Sequence, residues 1–227
     1  MISYDLSDGV ASLTLDDGKA NALGFDMIDA YRSHLAKAQS EADLIVIRGR
    51  PGVMSAGFDL KVMKTEPHRV ADMVRMGAEL LVETLMCPTP VIMASTGHAM
   101  AAGGLLMLTA DIRLGMQGEF FYGLNETAIG MVMPDFGLEL ARYRLGETAL
   151  DEAVLNAQLY SPSAAQQIGY LDHVASPELF EQSLSDLIEK TQKLDLKAYR
   201  GTKTKLRYDL GQRILASLDA DNLNIAG

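Results

Sequence analysis

Apolar and polar residues alternate along Val10-Ala11-Ser12-Leu13-Thr14-Leu15, the period of a half-buried strand. Met1 to Leu6 is placed as its partner across a Ser7-Asp8-Gly9 turn. From Gly24 to Glu41 the spacing changes to that of a helix, with Met27, Ile28, Tyr31, Leu35 and Ala38 on one face. Leu44 to Arg48 is a continuous apolar run of strand length, and Pro67 to Leu85 returns to helical spacing through Val70, Met73, Val74, Ala78, Leu81 and Val82. Pro90 to Ser95 predicts a buried strand, Gly97 to Gly104 a small-residue turn, Leu105 to Ala110 an apolar helix and Asp111 to Met116 a further strand. This alternation predicts an α/β fold. Beyond Pro134 the chain reads as mainly helical, with a short strand at Tyr170 to Val174. Ser176-Pro177 reads as a helix N-cap with proline at the first helical position, and Leu194 to Leu218 as one or two terminal helices.

Composition narrows the classes. The 227 residues are 48% hydrophobic and 22% charged, enough for one sizeable core and unlike a disordered chain. Thirty acids against 20 bases leave a net charge of −10, which argues against nucleic acid as a partner. One cysteine, Cys87, permits no internal disulfide and reads as a packed small hydrophobe. The histidines, at 34, 68, 98 and 173, have no metal-ligand spacing, so no metal is expected. No opening signal segment and no apolar stretch of membrane-spanning length are evident, and a cytoplasmic location is the expectation.

Two segments place tiny residues where a strand turns into a helix: Ser55-Ala56-Gly57-Phe58-Asp59-Leu60-Lys61 and Gly97-His98-Ala99-Met100-Ala101-Ala102-Gly103-Gly104. Small residues let a ligand approach the backbone, and the first turn of a helix has N–H groups without internal partners. Two such groups aimed at one point form an oxyanion hole. Geometry alone also accounts for glycine at such turns. No phosphate-binding glycine pattern is present.

These two segments, with Lys19-Ala20-Asn21-Ala22-Leu23, the rest of Pro90 to Arg113, and Gly123 to Pro134 (GLNETAIGMVMP), resemble the crotonase superfamily, the enoyl-CoA hydratases and isomerases, in order and separation. The resemblance implies a spiral of ββα units spanning 1–185 and a helical C-terminal extension, 186–227, that makes a homotrimer or a dimer of trimers. It implies an acyl-CoA thioester substrate, with coenzyme A as part of that substrate and no separate cofactor. Phe58 and Ala102 are implied as the two main-chain oxyanion donors, and Glu126 as the catalytic base. Lys19, Ala20, Ala56, Gly57, Asp59, Leu60, Gly103 and Leu105 are implied at the substrate. Where the family more often has glycines, Ala101 and Ala102 stand here.

Within that resemblance, GLNETAIG is most similar to the Δ3,Δ2-enoyl-CoA isomerases. Hydratases of the family carry a second glutamate at the position of Leu105, and leucine cannot hold a water or move a proton. A single-glutamate isomerase of fatty acid metabolism is therefore the expected activity. The alternatives are a hydratase (a lyase), another crotonase-type acyl-CoA reaction, and a non-catalytic acyl-CoA-binding member. Read without the resemblance, Glu126 is a surface glutamate at a helix start. Asp135 is expected at a helix start, where the dipole favours an acid. Lys19, Lys61 and Lys64, and more weakly Lys203 and Lys205, are candidates for the CoA phosphates. Met63, Met73, Met100, Met131 and Met133 are candidates for the acyl end.

Overall fold

A computed structural model describes residues 1–220 and 223. β1 (Ile2–Ser7) pairs antiparallel with β2 (Val10–Leu15), and the remaining strand-to-strand pairing among the described residues is parallel, with isolated antiparallel bridges at Arg50–Val53 and Tyr122–Tyr160. β2 is followed by α1 (Phe25–Glu41), β3 (Leu44–Gly49) and β4 (Gly52–Ser55). Next come α2 (Leu60–Thr65), a 3-10 turn at Pro67–Arg69 and α3 (Val70–Met86). β5 (Val91–Ser95), β6 (Gly97–Met100) and α4 (Ala102–Thr109) repeat the strand–strand–helix order. β7 (Ile112–Met116) and β8 (Tyr122–Gly123) begin it again.

The first strand of each unit joins one sheet, of order β1-β2-β3-β5-β7 and finally β9 (His173–Ala175). The second strand joins a smaller sheet, β4-β6-β8. The chain is thus a winding of ββα units, the architecture implied by the family resemblance. The large sheet is covered on both faces, which explains its unbroken apolar runs. Ile45, Ile47, Val91 and Met93 face the main core, while Leu44, Val46, Ile92 and Ala94 face a second core closed by Phe180, Leu184 and Leu187. Cys87 is buried in the main core, and burial pushes its thiol up to about 11.

The helices are α5 (Asp135–Arg144), α6 (Glu147–Val154), α7 (Pro162–Ile168), α8 (Phe180–Gln192) and α9 (Leu196–Ala220). The 185/186 boundary falls inside α8. Helix α9 turns back and lays Leu210, Ile214 and Leu218 into the main core.

Local expectations need correction at three places. Gly97–Met100 is strand, and the following helix begins at Ala102 rather than Leu105. β4 was not expected at all. Both depend on pairing between residues some 45 positions apart, Gly52 with Gly97 and Ser55 with Ala99, which no local pattern encodes. A Cβ at Gly97 would overlap the Gly52–Val53 backbone, so that glycine serves the small sheet. Finally, Pro177 lies in a turn closed by Leu179 N–H on the Ser176 carbonyl (3.0 Å), and α8 starts at Phe180.

Candidate active site

The first turn is fixed by two buried polar residues. Asn21, at φ 49°, donates through its side-chain amide to the Leu15 carbonyl (2.9 Å) and the Met54 carbonyl (3.2 Å), tying β2 to β4. Ser55 Oγ donates to the Asn21 carbonyl (2.8 Å) and accepts from Gly57 N–H (3.2 Å). Gly57 takes φ 93°, a left-handed conformation that glycine adopts without strain. Leu23 N–H donates to the Gly57 carbonyl, and Asp59 N–H to the Leu23 carbonyl. By the alternation of a parallel bridge, the N–H of the intervening Phe58 faces away from Leu23. The Asp59 side chain caps α2 by accepting from Lys61 N–H (2.8 Å).

The second turn packs directly against the first. Ala101 has φ 50° and ψ −127°, a conformation rare for a residue with a side chain, and its N–H is held by the Gly123 carbonyl (2.9 Å). Ala102 opens α4, so its N–H lies in the first helical turn, without an intrahelical acceptor. A Cβ added to Gly57 would lie 2.9 Å from the Ala101 Cβ and 3.1 Å from Ala102 N. The two turns therefore bring the Phe58 and Ala102 backbones side by side. A Cβ on Gly103 would run into the Ser55 backbone, so glycine there lets α4 seat on β4.

A cavity of about 250 Å³ opens beside this junction. It is lined by Ala56, Phe58, Leu60 and Met63 from the first turn and α2, by Met100, Ala101 and Leu105 from the second turn and α4, and by Asn125, Ile129, Met131, Pro134 and Phe136. Among the described residues, Glu126 is the one ionisable group on its wall. It follows β8 and starts a 3-10 turn at Thr127–Ile129, and its carbonyl accepts from Ile129 N–H (3.0 Å) and Met131 N–H (2.9 Å). Glu126 is 6% exposed, so it is not the surface glutamate that residue type alone suggests. Burial in this apolar lining pushes its carboxyl from 4.5 up to about 7, against a smaller lowering by its own N–H. Such a group is half ionised near neutrality, suited to taking and returning a proton.

The other sequence candidates separate by position. Lys19, Ala20, Gly57, Asp59, Ala102 and Gly103 lie off the cavity wall, and Lys19 is exposed with its carbonyl bound by Arg50. Lys61 and Lys64 are exposed on α2, the helix that lends Leu60 and Met63 to the wall. Lys203 is buried and donates to Asp111 Oδ2 (2.6 Å) and the Thr89 carbonyl (3.2 Å), so it is an internal ion-pair partner rather than a phosphate contact. Lys205 is exposed on the same helix. Met73 and Met133 are core residues. Asp135 is exposed and lines a separate surface groove with Glu139 and Arg142. Asn125, Ile129, Pro134 and Phe136 were not anticipated on the wall. The first three come from the segment between β8 and α5, whose course depends on β8 pairing with β6, and Phe136 from the first turn of α5.

Fold and cavity define a ligand-binding α/β protein with two apposed backbone turns and one buried carboxyl group. The enoyl-CoA hydratase/isomerase family model matches residues 5–225. An enoyl-CoA hydratase/isomerase family protein from Pseudomonas syringae superposes with a TM-score of 0.93 at 39% identity, covering 96% of this chain and 95% of that one. An enoyl-CoA isomerase from Mycobacterium tuberculosis gives a TM-score of 0.89 at 34% identity, covering 96% of each chain. The human mitochondrial enoyl-CoA delta isomerase 1 is 27% identical over 229 residues, 99% of this chain and 76% of the relative. Other relatives are named as probable hydratases. The chain belongs to the enoyl-CoA hydratase/isomerase family and has the crotonase fold. It is an enzyme of that family, whose substrates are acyl-CoA thioesters. No helix among the described residues is long and apolar enough to cross a membrane.

Proposed function

We propose that the chain is a Δ3,Δ2-enoyl-CoA isomerase in which Glu126 is the sole proton carrier. The observation that carries this reading is the cavity wall: one carboxyl group among side chains that are apolar apart from the Asn125 amide, with Leu105 where a second acid would be needed to hold water. Leu105 stands one helical turn after Ala101, its N–H on the Ala101 carbonyl (3.0 Å), and is 1% exposed. The Phe58 and Ala102 N–H groups hold the thioester oxygen. The Glu126 carboxylate removes a proton from C2 of a 3-enoyl-CoA, and the electron pair delocalises over the dienolate onto that oxygen. The same carboxyl group returns the proton to C4, moving the double bond from C3–C4 to C2–C3. An apolar wall suits this chemistry, because a water near the dienolate would compete as proton donor.

In this reading coenzyme A enters as part of the substrate and no further cofactor is used. Ala56 and Leu60 flank the thioester, and Lys61 and Lys64 serve the CoA phosphates. Lys19 and Ala20 lie beside Ala56, whose N–H donates to the Ala20 carbonyl (3.0 Å). The protein works in the cytoplasm as a homotrimer or a dimer of trimers. The exposed apolar residues Leu206 and Tyr208 on α9 support assembly.

The test incubates the protein separately with a 3-enoyl-CoA and a 2-enoyl-CoA and identifies the products. Conversion of the first to the 2-enoyl thioester, with slow hydration of the second, is expected. Glu126→Gln lowers the isomerisation rate by about a hundredfold or more and leaves acyl-CoA affinity little changed. Faster hydration than isomerisation, or an unchanged rate in Glu126→Gln, overturns the reading.

A further inference from the structure

Helix α3 carries a buried glycine in its interior, Gly77, among the buried side chains of Met73, Val74, Ala78, Leu80 and Leu81. Glycine weakens a helix interior relative to alanine, so its presence there calls for a packing reason. The reason is Phe58. A Cβ on Gly77 would overlap Phe58 Cε1 and lie 2.8 Å from its Cζ and 3.5 Å from its Cδ1. The outer edge of the Phe58 ring therefore rests on the α3 backbone, in the space that the missing side chain leaves.

This contact joins α3 to the junction of the two turns. Phe58 lines the cavity, whereas Gly77 lies off its wall. Around Phe58 the chain is held by Leu23 N–H on the Gly57 carbonyl (2.8 Å) and by Asp59 N–H on the Leu23 carbonyl at a long 3.4 Å. Two backbone bonds of unequal length fix the peptide less firmly than the buried face of α3 fixes Gly77. Crowding between the two is thus relieved on the Phe58 side. Carbon atoms pack at about 3.5–4.0 Å, so a methyl group at position 77 moves the ring edge by about 1 Å.

We propose that Gly77 is a positioning residue for the thioester: by giving the Phe58 ring a seat on α3, it keeps the Phe58 N–H aimed at the thioester oxygen. The role rests on the Phe58 and Ala102 N–H groups holding that oxygen, and it applies to isomerisation and hydration alike, since both polarise the same carbonyl. Gly77 touches no substrate and acts through Phe58. The atoms in conflict with a Cβ are mainly Cε1 and Cζ, which leucine lacks. A shorter side chain at position 58 therefore makes room for a larger one at position 77.

The test compares the wild type, Gly77→Ala, Phe58→Leu and the double variant. The first readout is the infrared carbonyl band of hexanoyl-CoA labelled with carbon-13 at the thioester carbon, a saturated probe with no double bond to move or hydrate. In the wild type the band falls in frequency on binding, because two N–H donors weaken the C=O bond. Gly77→Ala is expected to lose much of that fall and to lower kcat by about tenfold to a hundredfold, for whichever of isomerisation and hydration the enzyme performs, with KM changed less. The double variant is expected to recover both the band and kcat. A fold that is merely destabilised would lower Tm without moving the band of the bound probe. An unchanged band and kcat in Gly77→Ala, or no recovery in the double variant, overturns the proposal. Should Gly77→Ala fail to fold, Phe58→Leu alone, which empties the seat, is expected to lose part of the fall, and an unchanged band overturns the proposal. No fall in the wild type refutes the donor assignment and the role of Gly77 with it. A Gly77 effect in a protein that hydrates but does not isomerise upholds Gly77 and refutes the reaction assigned above.

Discussion

Glu126→Gln isolates the stability cost of keeping a carboxyl group in an apolar wall. The folded chain protonates Glu126 at about 7, against 4.5 for the ordinary group. Below pH 4.5 both folded and unfolded chains hold the proton, and the burial of the charge costs nothing. Between the two values the unfolded chain has released a proton that the folded chain retains, so stability falls as pH rises. Above about 7 both forms are ionised and the full cost is present, about 3 kcal/mol at about 1.4 kcal/mol per unit. This direction is opposite to that of a salt-bridged carboxylate. Glutamine is never charged, and its own burial cost does not depend on pH. The stability of Glu126→Gln relative to wild type should therefore rise by about 2–3 kcal/mol between pH 5 and pH 8. Urea unfolding followed by circular dichroism at several pH values in this range measures the difference. A constant difference would mean that Glu126 ionises as an exposed glutamate, which would refute the buried base.

Other expectations follow from the same geometry. The isomerase kcat/KM should fall about fivefold from pH 7 to pH 6 and rise less than twofold from pH 7 to pH 8, following the ionised fraction of a base with a midpoint near 7. A flat profile over pH 6–8 would exclude this. Ala101→Gly relieves the strain at φ 50° and should raise stability by about 0.5–1 kcal/mol after the entropy cost of glycine, read as a higher Tm. Asp111→Ala leaves buried Lys203 and Arg207 without their shared carboxylate, which holds them at 2.6 and 2.8 Å. It should cost about 3–5 kcal/mol in denaturant unfolding.

The α/β class, the buried faces of α1 and α3, and the two small-residue turns were all legible in the sequence. The five apolar positions assigned to α1 are the five that it buries, because helical period is a local property that survives packing. Glu126 was legible by resemblance alone, since nothing in Leu124-Asn125-Glu126-Thr127 distinguishes a buried base from a surface acid. Tertiary structure decided the rest. The parallel pairing of β4, β6 and β8 joins residues far apart in the chain, and it carries Ala56, Ala101 and Glu126 to one cavity. That enclosure raises the Glu126 carboxyl group toward neutrality, because desolvation depends on surrounding atoms supplied by α2, α4 and α5. It also separates lysines that look alike in sequence: Lys61 stays in solvent on α2, while Lys203 is drawn into an ion pair by the carboxylate of Asp111.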